Sequence, residues 1–373
     1  MSATFDRFAE GLGGAYYPPP SIDPALGEFL IFMQQSRLRA MPHIQAFSPL
    51  GPTYQLEHGW ILDGEFNAIA GIEEIDGIDC IGINFGVAHV ICNLFRAMLS
   101  HRAILTGIGD CRGEEVHSSY NPETAIVDVN HFSPVKVPTD LIRARFARQL
   151  SYCAFHFIFL HEFAHLFHGH IDWLCRNTSF RRLGEIGATT IPGLKPIDLQ
   201  TIEMDADAFA ITDLLMAALG VKYDEADRTK PPYIPQRNVF GSRAQAIFTI
   251  LFAVYSVFRL FGDENLRDDE SVFNADHPPA VYRQRFLFGS AIQFIEHLNI
   301  ISMPEFGEIF TATMLEAEQG YSRLTGTPEL ASPQMSEQQF ERSHKLLNLL
   351  LENWKKLRPE LELLKRGGEL YEN

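Results

Sequence analysis

The stretch Tyr152-Cys153-Ala154-Phe155-His156-Phe157-Ile158-Phe159-Leu160-His161-Glu162-Phe163-Ala164-His165 decides how the rest of the chain is read. Tyr152 to Leu160 is almost wholly apolar, which predicts a helix that is buried where His161, Glu162 and His165 sit. The two histidines are four apart, so on a helix their imidazoles leave one face about one turn apart and can present two nitrogens to one metal ion. Glu162, adjacent in sequence, can reach a water activated by that metal without being a ligand itself. Burying these three groups together costs desolvation unless something satisfies them, and a metal would do so. The five-residue pattern alone is weak, since chance supplies it in roughly a few per cent of chains with this many histidines. Context has to decide.

Working outward, a zinc ion with two histidines needs a third protein ligand and an open position. Glu203-Met204-Asp205-Ala206-Asp207, on the next predicted helix, supplies a candidate. Glu203 and Asp207 share a face while Asp205 points elsewhere, so Glu203 could bind the metal as Asp207 orients a ligating imidazole. Small Ala206 would let the two helices approach closely. The bland reading of the same residues is a solvated acidic first turn that complements the helix dipole.

With both pieces in place a resemblance becomes specific. HEFAH followed by EMDADAFA resembles the gluzincin zinc metallopeptidases, which carry HExxH on one helix and ExxxD, often ExxAD, on a later one. His277-Pro278-Pro279-Ala280-Val281-Tyr282-Arg283 is similar to the HPPxxxR element of the CAAX prenyl proteases and membrane heat-shock proteases within that group. The likeness covers about residues 150 to 290. It implies His161, His165 and Glu203 as ligands of Zn2+, Glu162 as general base and acid, and Asp207 as the partner of His161. It further implies His277 as a donor to the developing oxyanion and Arg283 as electrostatic support. HPP is also a plain helix start, with proline in the first turn. Membrane members of the group have spanning helices, and none is evident here, so soluble bacterial gluzincins such as the Lit-type phage-exclusion peptidases are the better comparison. Their substrates do not transfer. A metzincin would place glycine seven and histidine ten residues after His161, where this chain has His168 and Ile171. His168 is expected at the surface or behind the ligands, and His156 and His170 in structural roles.

Composition limits the alternatives. The 373 residues include 46% hydrophobic and 21% charged side chains, ordinary globular values that argue against a long disordered tract. The 29 phenylalanines point to an aromatic core. A formal net charge of -16 argues against the cationic footprint that nucleic acid or an anionic membrane requires. Cys80, Cys92, Cys111, Cys153 and Cys175 are odd in number, scattered and without a CxxC pair. They read as reduced, mostly buried thiols in a cytoplasmic protein. Met1 to Glu10 lacks a secretory apolar stretch. The uncharged run Ala244 to Phe258 falls short of the roughly 20 residues a membrane span needs and reads as a buried core helix.

The expected fold is α+β, predominantly α, with a zincin-like catalytic part. Residues 1-138 read as a mixed α/β region packed on it, 139-300 as the helical catalytic domain, and 301-373 as C-terminal helices. Strands are expected at Ala68 to Ile75 and Asp79 to Asn84, and helical spacing starts at Val87. Further helices are expected at Ala25 to Ala40, Thr139 to about His168, Ile197 to Leu219, Asn238 to Phe261, Pro278 to Asn299, Met303 to Thr325 and Ser336 to Lys365, with Thr139 and Ser336 as N-caps. Tyr16 to Pro24, Lys222 to Arg237 and Gly262 to Asp276 read as loops.

Two other functions compete with a zinc endopeptidase that cuts an intracellular protein or peptide. One is a helical interaction protein held together by structural zinc, which usually takes four protein ligands rather than three. The other is a di-iron carboxylate oxidoreductase, for which Glu162 to His165 and Glu114 to His117 fit the Glu-x-x-His text, the second in a loop-like stretch. The sequence leaves the scissile bond and the oligomeric state open.

Overall fold

The computed structural model describes residues 2–17, 50–116, 137–184, 191–220, 241–261, 269–275, 277–329 and 337–368, with isolated positions 27, 30, 31, 45, 48, 120 and 370. In chain order the elements are α1 (Ala3–Ala9), β1 (Leu56–Ile61), β2 (Ala68–Ile72), β3 (Asp79–Asn84), α2 (Phe85–Leu99), α3 (Leu141–Phe167), α4 (His170–Asn177), β4 (Arg182–Gly184), α5 (Pro196–Leu219), α6 (Arg243–Leu260), α7 (Asp269–Asn274), α8 (Ala280–Leu298), α9 (Met303–Thr325) and α10 (Glu337–Glu362). The fold is α+β and predominantly α. The helix expected over Ala25 to Ala40 and the loops at Tyr16 to Pro24 and Lys222 to Arg237 lie, but for Tyr16, Tyr17 and isolated positions, outside the described residues. So does Ser336.

One mixed sheet has the order β1-β3-β2-β4. β1 runs parallel to β3, with Leu56 opposite Asp79 and Ile61 opposite Asn84, and β2 is antiparallel to both β3 and β4. The strand expected to reach Ile75 stops at Ile72 because a tight turn intervenes. Glu73 accepts the amide hydrogens of Ile75 and Asp76, and Gly77 takes a left-handed φ of 65°. Ile75 itself is 74% exposed.

α3 is the central element and packs against α2, α5, α6 and β2. From Cys153 to Phe167 every residue is buried, as the apolar run requires. Much of the phenylalanine excess sits here. Phe155 meets Trp60 at 5.1 Å and Phe157 meets Phe258 at 5.7 Å between ring centroids, and each ring fully removed from water stabilises the fold by about 1.5–3 kcal/mol. The N-cap is Asp140 rather than Thr139. The Asp140 carboxylate accepts the amide hydrogens of Ile142 and Arg143, while the amides of Thr139 and Asp140 donate to Glu114. Glu114 therefore closes the start of α3, and its supposed iron partner His117 lies outside the described residues.

Arg143, in the first turn of α3, has no exposed surface. Its guanidinium donates to five backbone carbonyls, those of Leu99, His101, Ile104, Leu105 and Ile108. The cation thus satisfies the carbonyl end of α2 and the chain that follows it.

Deeper in α3, His156 is buried, and desolvation pushes its pKa down to about 4. An unfolded histidine titrates near 6.5, so the unfolded chain binds the extra proton first and stability falls as pH drops through that window. Between about pH 7 and pH 5 this group alone should remove about 2 kcal/mol, and His156→Phe should flatten that part of the profile in denaturant titrations. An unchanged slope in the variant would assign the loss to other groups.

α6 is the one helix among the described residues long and apolar enough to cross a membrane, yet 72% of it is buried inside the protein. It acts as a core helix, capped by Ser242, with the hydroxyls of Thr249 and Ser256 donating to Gln245 and Phe252 carbonyls. Where a loop was expected up to Asp276, Asp269–Asn274 forms the short α7. Its Val272 is buried, and Gln200 donates to the carbonyls of Val272 and Ala275, which ties α7 to α5.

α10 packs on α5 and α4, with Trp173 donating to Glu360. Just beyond it the chain returns to the end of α3. The Arg366 amide donates to the Phe167 carbonyl, and its guanidinium bonds Asp79 at 3.1 Å and Asp172 at 2.8 Å. Gly169, between α3 and α4, has φ of 79°, and a Cβ there would sit 2.7 Å from the Leu364 backbone. Only glycine meets both requirements without strain.

Candidate metal centre

α5 begins with Pro196 in its first turn and ends on Gly220 in the left-handed conformation. Its acidic residues are not a solvated face. Glu203, Asp205 and Asp207 are 1%, 3% and 2% exposed, as buried as the histidines they meet on α3. Ala206, between them, is fully buried at the helix contact.

His161, His165 and Glu203 form a group that can hold a metal ion. His161 Nε2 lies 3.0 Å from His165 Nε2 and 3.2 Å from Glu203 Oε2, and His165 Nε2 lies 3.5 Å from Glu203 Oε1. Ligand atoms at the corners of a tetrahedron around zinc are separated by about 3.3 Å, so the spacing fits a single small cation. Two bare imidazole nitrogens and a carboxylate in one buried spot repel one another unless hydrogens or a cation lie between them. Burial, the largest influence on Glu203, pushes its pKa up. His277, His165 and His161 outweigh it and hold the carboxyl well below the usual carboxylate range. Glu162, beside His161 on α3, is 1% exposed.

The far side of His161 is organised by Asp207. Its Oδ1 lies 2.9 Å from His161 Nδ1, which leaves Nε2 turned toward His165 and Glu203. Arg283, 4% exposed, grips the same carboxylate through Nε at 2.8 Å and Nη2 at 2.9 Å. Its guanidinium also lies over the rings of Phe258 and Phe261. His277 precedes α8, with Pro279 at the N-cap position, and its Nε2 is 3.5 Å from Glu203 Oε1. Its side chain is 20% exposed, whereas those of the other groups named here are at most 4%. The cluster therefore meets solvent at His277. The structure brings together His161, His165, Glu203, Asp207, His277 and Arg283, all picked out from the sequence.

Sequence reasoning did not find what lies behind His165. His168, expected near the surface or behind the ligands, is fully buried with Nδ1 2.5 Å from Asp205 Oδ2. His170 Nε2 lies 3.2 Å from the same oxygen. These imidazoles hold the Asp205 carboxyl well below its usual range against the opposing effect of burial, which is the largest single influence on it. His168, His170 and Asp205 form a second group with metal-ligand atoms close together. The signal for it was the His-x-His spacing of His168 and His170 beside an aspartate known to face away from Glu203.

Residues 120–290 match the family model described as Peptidase U49. The match indicates a peptidase family, and its span contains every residue of both groups. No curated protein and no solved structure matches the chain.

If His161, His165 and Glu203 hold a metal, Asp207→Ala should weaken its binding by about 10- to 100-fold, because it removes the group that fixes the His161 ring and strands Arg283. Competition against a chelating indicator measures this directly. An unchanged affinity would mean that His161 needs no such support.

Proposed function

We propose that the chain is a zinc-dependent endopeptidase of the gluzincin type that cuts a protein or peptide in the cytoplasm. The observation that carries the reading is the convergence in a buried site of His161 Nε2 and His165 Nε2, 3.0 Å apart, with the Glu203 carboxylate, whose Oε2 lies 3.2 Å from the first nitrogen and whose Oε1 lies 3.5 Å from the second. The peptidase-family match over residues 120–290 supports the same activity class. Five free cysteines, three of them buried, support a reducing compartment.

In this reading His161, His165 and Glu203 hold the metal, which when bound acidifies water and polarises a peptide carbonyl. Glu162 takes the proton from the attacking water and delivers it to the leaving amine as the peptide C–N bond breaks. Asp207 holds the hydrogen of His161 on Nδ1, and Arg283 holds the Asp207 carboxylate in place. His277, at the solvent edge, donates toward the carbonyl oxygen as negative charge develops there. Three protein donors rather than four leave a position for water, which favours catalysis over structural zinc.

Chelation should test this at the level of the whole activity. Wild-type protein added to a bacterial extract should generate new protein N-termini, which disappear when zinc is stripped and return when zinc is restored. If no new N-termini arise under any of these conditions, the structural-zinc reading replaces this one.

A further inference from the structure

His161 and His165 of α3 differ in what stands behind them, and hydrogen bookkeeping makes the difference informative. A neutral imidazole carries one hydrogen. If His161 and His165 both offer bare Nε2 atoms to one metal, each must carry its hydrogen on Nδ1. At His161 that hydrogen meets the Asp207 carboxylate. At His165 it meets another imidazole, since His165 Nδ1 lies 3.1 Å from His170 Nδ1.

Two ring nitrogens at that distance can bond only if one of them is bare. His165 supplies the hydrogen, so His170 must be bare at Nδ1 and protonated at Nε2. That Nε2 faces Asp205 Oδ2 at 3.2 Å, in a contact bent from the ideal hydrogen-bond direction. The same carboxylate oxygen takes the Nδ1 hydrogen of His168 at 2.5 Å. His165, His170, Asp205 and His168 are all at most 3% exposed, so water cannot substitute freely for any link.

We propose that His170 and Asp205 are positioning residues for His165, forming a chain His165 Nδ1–H to His170 Nδ1 and His170 Nε2–H to Asp205 that fixes the tautomer and ring orientation of the second ligand. The proposal rests on the metallopeptidase reading. It makes each ligating histidine end on its own buried carboxylate of α5, His161 directly on Asp207 and His165 through one imidazole on Asp205. Asp205 and Asp207, two apart on α5, thereby serve different histidines of α3.

The rival use of His168, His170 and Asp205 as a second metal site conflicts with the first. A metal on His170 Nε2 would displace its hydrogen. His170 would then have to become an imidazolate to keep accepting from His165. Otherwise it would carry its hydrogen on Nδ1 and donate to His165, which moves the His165 hydrogen onto Nε2 and removes that nitrogen from the metal. Neutral histidines allow one group or the other to bind metal, not both.

Zinc titrations of the full chain, with a chelating indicator and metal analysis, test this. The wild type should bind one zinc. His170→Phe should bind it about 10- to 100-fold more weakly. His170→Gln, whose amide can accept from His165 and donate to Asp205, should recover most of that loss, which a mere packing role for the ring would not produce. The cobalt(II)-loaded His170→Phe protein should also show a shifted visible spectrum, because the field of His165 has changed. Should His170→Phe fail to fold, nitrogen-15 spectra of zinc-loaded wild type suffice, with His170 expected as the Nε2–H tautomer. A Nδ1–H tautomer at His170 overturns the chain. So does a single zinc bound equally tightly by wild type and His170→Phe, and that result leaves the metallopeptidase reading standing. Two zinc ions per chain, one of them lost in His168→Ala, would show a second metal site in its place. A wild type that binds no zinc overturns both readings.

Discussion

Glu162→Gln is expected to retain zinc while cleaving peptide bonds about 10²- to 10⁴-fold more slowly, the range set by loss of a positioned general base. Glutamine keeps the length and the polar end of the side chain, so the buried position beside His161 stays filled. What disappears is the capacity to take a proton near neutral pH. The three donors His161, His165 and Glu203 are untouched, so metal analysis should still return one zinc per chain. Expressing wild type and variant in bacterial cells and comparing new protein N-termini separates the two functions. Undiminished cleavage by the variant would sink the mechanism, whereas loss of zinc together with cleavage would place Glu162 among the ligands.

Arg143→Met is expected to destabilise the fold by about 2–6 kcal/mol even if only two of the five carbonyls it serves are left without a donor, at about 1–3 kcal/mol each. Methionine fills much of the same space, so the loss measures polar satisfaction rather than a cavity. Arg143→Lys keeps the charge and three of the donors and should fall between the two. Denaturant unfolding of all three proteins would check the order. A loss under about 1 kcal/mol in Arg143→Met would show that water replaces the guanidinium, which the zero exposure of that side chain argues against.

These residues also show where sequence reading succeeds and where it stops. His161 with His165, and Glu203 with Asp207, were legible because both pairs repeat at the helical period, and a buried apolar run told which helix face was interior. α9 was legible to the residue, bounded by Ser302 and Gly326. β1 and β4 were not, since setting β3 between a parallel β1 and an antiparallel β2 is a tertiary choice that no local pattern records. Arg143 looks like any arginine until the five carbonyls are placed around it. His170 was the hardest case. The left-handed turn at Gly169 takes it off the α3 helix and swings its ring back against His165, so helical spacing could not predict their contact.

The return of the chain at Arg366 has a consequence for synthesis. The Phe167 carbonyl, two residues past His165, is satisfied by an amide made about two hundred residues later, and Asp79 and Asp172 wait for the same guanidinium. Translation proceeds from the N-terminus, so the helix that carries His161 and His165 emerges long before its closing partner exists. The end of that helix can be locked down only once the chain has been made as far as Arg366, which places this closure late in the order of assembly.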